Sequence, residues 1–199
     1  MASRTRIFLV YLLLVGGGAW YLTYWAMNTV RPRYLESMEE SLVDAANLFA
    51  SAVETDAVAG GKIDPASLHR LFDPAYQRRL NAHIYTLLKT DIDLRLYVTD
   101  DRGLVLYDSD HGRDEGRDYS RWHDVALTLA GQYGARGSRA QPDDDASLVI
   151  HVAAPIHSAG RIAGSFTVGK PTRYINELVT TSKRRILWAG LAAGGLIVL

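Results

Sequence analysis

Apolar positions along the 199-residue chain follow different periods in different stretches, and those periods set out its elements. Residues 7–27, IFLVYLLLVGGGAWYLTYWAM, are without charge. About 20 apolar residues cross a bilayer as a helix, so this stretch predicts a membrane anchor. NTVRPRY follows it, a poor cleavage context, so the segment is expected to be retained rather than removed as a leader. Arg4 and Arg6 precede it and hold residues 1–6 in the cytoplasm. Trp20, Tyr21, Tyr24 and Trp25 crowd its far end, where aromatic rings meet the lipid–water boundary. Residues 186–199, ILWAGLAAGGLIVL, are apolar to the last position and read as a second span cut short. Lys183, Arg184 and Arg185 just before it would lie outside, against the positive-inside rule. Residues 28–185 are expected to form one periplasmic domain on the inner membrane.

Within that domain, Leu35, Met38, Leu42, Ala45, Phe49 and Ala52 alternate three and four apart. Such a stripe suits a helix laid on a sheet or a homodimer seam continuing from the anchor. A second, weaker helical pattern covers 65–89. LRLYVTDDRGLVLYDS holds two alternating runs around DDRG and predicts a hairpin. DHGRDEGRD is a charged loop. Trp122, Val125, Ala126 and Leu129 share one helical face, with Asp118 or Ser120 as cap and Gly131 as stop. ARGSRAQPDDDAS reads as a polar loop. SLVIHVAAPI and RIAGSFTVGK form a second hairpin, and Pro171 starts an exit helix.

This order predicts an α+β fold, a small antiparallel sheet with a long helix on one face. Strand alternation sends Leu94, Leu96, Val98, Leu148, Ile150 and Val152 one way. It sends Arg95, Tyr97, Thr99, Tyr107 and His151 the other, toward a pocket closed by the loop and short helix.

Charge and composition narrow the function. Formal net charge is zero and no nucleic-acid motif appears, so no nucleic-acid partner is expected. The chain has no cysteine, which excludes disulfides, thiolate zinc sites and a Cys nucleophile. His111, Asp114, Glu115, Asp118, His123 and Asp124 are read as a solvated loop and helix cap rather than a metal site. Ser120 and His123 lack the third orienting group and oxyanion donors of a hydrolase. No catalytic residue is assigned. For a ligand, Arg121 offers a planar fork to a carboxylate or phosphate, and Tyr119 adds a hydroxyl. Tyr97, Tyr107 and His151 complete the candidate set, whose ligand would be a small anion.

Taken together, DYSRW, GQYGAR, VAAPI, GSFTVGKP and RRILWA, with their spacing, resemble the sensor region of CreC-type sensor histidine kinases. The resemblance covers nearly the whole chain, most weakly over residues 55–90. It implies a PAS-like domain of the PDC or Cache type between two transmembrane helices. It further implies a kinase core beyond residue 199, using ATP and Mg, and a cognate response regulator as partner. No phospho-accepting histidine or nucleotide loop can be carried over to this sequence. The same kind of module also heads chemoreceptors and diguanylate cyclases, and a ligand-free anchored interaction domain is a further alternative.

Overall fold

The computed structural model describes residues 2–85, 87–139 and 147–172. Met38–Thr172 forms one compact unit, and the described residues before Met38 belong to another. Helix α1 runs Ala2–Asp56. Among the described residues no helix is long and apolar enough to be read as a membrane span. Several side chains between 7 and 27 lie outside the described set, and so do the expected exit helix and the whole of 186–199.

From Met38 onward α1 buries Met38, Leu42, Ala46, Ala50 and Val53, and Ala57 just past its end is buried too. That spacing keeps one stripe of the helix against the unit's own core. Phe49 joins it, with ring centroids 6.1 Å from Phe72 and 5.7 Å from Phe166. Leu42 and Phe49, expected on a seam, are therefore packed within the chain.

A two-residue ladder, β1 (Val58–Ala59) and β2 (Lys62–Ile63), follows the helix. Helix α2 (Pro65–Tyr76) starts on Asp64, whose carboxylate accepts from the amides of Ala66 and Ser67, with Pro65 in the first turn. The helical pattern read on to residue 89 stops there. Residues beyond it form a small hairpin instead, β3 (Ala82–Ile84) with β4 (Leu87–Lys89).

The main sheet has five strands in the order β6-β5-β9-β8-β7, all neighbours antiparallel. Its members are β5 (Arg95–Asp100), β6 (Val105–Asp108), β7 (Gly134–Arg139), β8 (Leu148–Ser158) and β9 (Arg161–Pro171). The β5–β6 turn closes on Asp100, whose Oδ1 accepts from the amides of Arg102 and Leu104. The β8–β9 turn is two residues, Ala159 and Gly160, both at positive φ.

Strand β7 corrects the polar-loop reading of ARGSR. An edge strand needs few apolar side chains, so its composition resembles a loop. Gly134 fixes its position: a Cβ there would lie 2.1 Å from the Asp124 carbonyl oxygen and 2.3 Å from Thr128 Oγ1. Helix α3 (His123–Leu129) packs against the strand through that gap. Trp122 is its N-cap residue without a side-chain bond, while Asp118 instead accepts from the Ser120 amide. Gly131, at φ 75°, follows the last turn as expected.

Candidate functional site

One face of the sheet carries the aliphatic and aromatic core under α1 and α2. The other carries a buried polar cluster covered by residues 109–136. Cross-strand register lines up the centre of that cluster. Arg136 pairs with His151, His151 with Gly169, and Gly169 with Arg95. Residues opposite one another share a face, so the two guanidinium groups flank a histidine on one row.

Each guanidinium meets carboxylates. Arg95 donates to both oxygens of Asp108, at 3.0 and 2.8 Å, and to Asp114 at 2.5 Å. Asp108 and Asp114 are both buried. Burial works against the Arg95 charge, but the bonds to the two aspartates outweigh it and its pKa is raised. Asp114 also accepts from the Tyr119 hydroxyl at 2.6 Å and lies 2.8 Å from Arg117. Burial would raise its pKa, yet the Tyr119 bond and Arg95 hold it below the usual carboxylate range.

Arg136 donates to Asp124 at 2.8 Å. Asp124 is buried at the start of α3 and takes the Tyr97 hydroxyl on its other oxygen. Burial, then the Asp124 charge, pushes the Tyr97 phenol well above its ordinary value. The Arg136 guanidinium also lies 4.0 Å from the Trp122 ring centroid. Trp122 in turn stacks on Tyr119 at 3.4 Å and 16°. The result is a column of Tyr119, Trp122 and Arg136 held at its ends by Asp114 and Asp124.

His151 sits between the arginines. Its Nε2 is 2.9 Å from Ser138 Oγ, while Nδ1 is buried without a partner among the described residues. Burial, then the charge of Arg136, lowers its pKa to about 3, so the ring is neutral. Gly169 makes room for it, since a Cβ there would stand 2.8 Å from Nδ1.

Tyr97, Tyr119 and His151 are thus brought together. Tyr107 is not. It pairs with Val98, on the other face, and its hydroxyl donates to Asp73 of α2 at 3.1 Å. A bulge between Val98 and Thr99 shifts the pairing there. Alternation within one strand leaves its phase against the next undetermined, and the turn and bulge set it. Arg121 is exposed, and its charge acts on Asp118. Asp114 and Asp124, read as members of a solvated loop and cap, are buried ion-pair partners. Arg136 and Asp108 escaped the sequence reading altogether. An alternation count over 134–139 would have placed Arg136 on the Gly134 face.

The same chain was compared with known proteins. Over 198 residues it is 38% identical to sensor protein CreC of Escherichia coli (strain K12), a match taking in 98% of this chain and 41% of that protein. This chain is a homologue of CreC. The likeness read from five short blocks therefore holds along nearly its full length. The chain spans less than half the length of CreC. No family model matches. Among solved structures, the E. coli DcuS sensor domain overlaps with a TM-score of 0.45 at 15% identity, covering 71% of this chain and 97% of that one. The ligand-binding domain of the Campylobacter jejuni chemoreceptor Tlp3 gives 0.46 at 17%, covering 88% and 65%.

Proposed function

We propose that this chain is the signal-sensing and transmembrane module of a two-component sensor histidine kinase. The observation that carries the reading is the CreC match along nearly every residue. Residues 7–27 and the completed 186–199 segment are the two spans, with residues 28–185 in the periplasm, forming a Cache-type PAS-like domain. The kinase core, its ATP and Mg, and its response regulator belong to sequence beyond Leu199. The module acts as a homodimer, and exposed Leu48 and Thr55, seven apart on α1, mark the face proposed for it.

Its ligand is small and anionic in this reading. The support is the row of Arg95 and Arg136, whose side chains keep 22% and 18% of their surface exposed. An anion reaching them competes with Asp114 and Asp124 for the same donors. Tyr119, Tyr97 and His151 adjoin that row. Arg121 serves as an outer contact beside Trp122. Displacing Asp124 would loosen α3, which is how occupancy becomes movement.

The coding sequence past Leu199 tests the output. It is expected to complete the span and continue into a phospho-accepting histidine and an ATP-binding domain. A stop codon there, or a methyl-accepting coiled coil, overturns the kinase reading.

A further inference from the structure

A second concavity lies away from the buried cluster, at the end of the sheet where three turns meet. It is a cleft of about 450 Å³. Gly60 and Gly61 of the β1–β2 turn with Lys62 of β2 form one wall, and Asp100 at the end of β5 with Asp101 and Arg102 of the following turn form another. Arg161, just after the β8–β9 turn, closes the third side. Ile63, Leu106 and Ala163 also line the cleft and give it an apolar part.

Its charge is unbalanced in a particular way. Lys62, Arg102 and Arg161 are all exposed, and none makes an ion pair among the described residues. Arg95 and Arg136 of the buried cluster, by contrast, are met by aspartates. Two carboxylates also line the cleft. Asp100 is held by its own turn, where Oδ1 takes two backbone amides at 2.9 and 2.8 Å, and its charge still counts against the cations. Asp101 is exposed and offsets one of the three cations. Three cations against two carboxylates leave one net positive charge, with the cationic groups unpaired beside an apolar wall, in a space of the size that holds small ligands.

We propose that this cleft binds a small organic anion: a short carbon skeleton bearing carboxylate or phosphate groups. The cations meet the charged groups, and Ile63, Leu106 and Ala163 cover the carbon. The inference does not rest on the sensory reading.

The test is calorimetric titration of the purified full chain with succinate, glycerol phosphate, inorganic phosphate and alanine. Succinate or glycerol phosphate should bind, and which of them does so separates the dicarboxylate from the phosphorylated ligand. Binding should weaken as salt rises. Lys62→Ala and Arg161→Ala should each lower affinity about tenfold or more, the value of one charge-assisted contact. Both side chains are exposed, so circular dichroism of the variants should match the parent. The proposal is overturned if neither organic anion binds, or if both variants bind like the parent. It is equally overturned if alanine binds as tightly, or if inorganic phosphate does, since the apolar wall would then contribute nothing.

Discussion

Trp122 and Arg121 are neighbours in sequence with opposite fates. Trp122 stacks on Tyr119 and carries Arg136 over its other face, whereas Arg121 stands in solvent. Removing a packed aromatic ring from such a column costs about 3 kcal/mol, through lost contacts and an exposed pair beneath. Trp122→Ala should lower unfolding stability by that order in urea titrations, and Arg121→Ala should change it by less than about 0.5 kcal/mol. Loss of output in Arg121→Ala would then report ligand contact rather than unfolding. His151 gives a second residue-scale expectation. An unfolded chain protonates this imidazole near pH 6.5, while the buried ring resists until about pH 3. The unfolded state therefore binds more protons across that window. Stability is whole above the upper value and falls as pH drops toward the lower one, by up to about 1.4 kcal/mol per unit. Denaturation midpoints of His151→Gln should depend less on pH in that window than those of the parent. An equal slope would place the titrating group elsewhere.

At the scale of elements, the sequence foretold pieces whose signal is local. Both main hairpins are present, because DDRG and SAG fit tight turns and the flanking runs alternate. The long helix is present, and its stripe turned out to be the helix-on-sheet one. What could not be read was set by pairing. ARGSR has no apolar period, and only its ladder to β8 and its close fit under α3 make it a strand. Tyr107 changed face through a bulge that no single-strand pattern encodes. Asp114 and Asp124 looked solvated since the arginines that bury them come from distant strands. The fit of Gly134 is a sharp test of this arrangement. Gly134→Ala would push a methyl into the Asp124 carbonyl and should destabilise the unit by about 1–3 kcal/mol, measured by thermal melting. A neutral result would mean that α3 and β7 can part at little cost.

For the whole molecule, α1 is the element shared by the two compact units. Side chains tie its C-terminal part to the rest of Met38–Thr172: Tyr133 donates to Glu39 at 2.5 Å, and the His157 amide donates to Glu54 at 2.6 Å. The chain lacks cysteine, so single introduced thiols report this helix cleanly. Cysteines at positions 48 and 55 should react with a water-soluble maleimide and crosslink between copies in membranes, while 42, 46 and 50 stay protected. Protection of the first set without crosslinking would argue for a different partner on that face. The strand order carries a further consequence, in the time course of synthesis. Strands β8 and β9 can zip through a two-residue turn as soon as both have emerged, but β5 must wait for β9, with Tyr97 meeting Thr167 across a long loop. Pairings that distant close slowly and late. Until residue 171 has been synthesised, β5 lacks its partner at the centre of the sheet, and the aromatic face between β5 and β9 stays open to water.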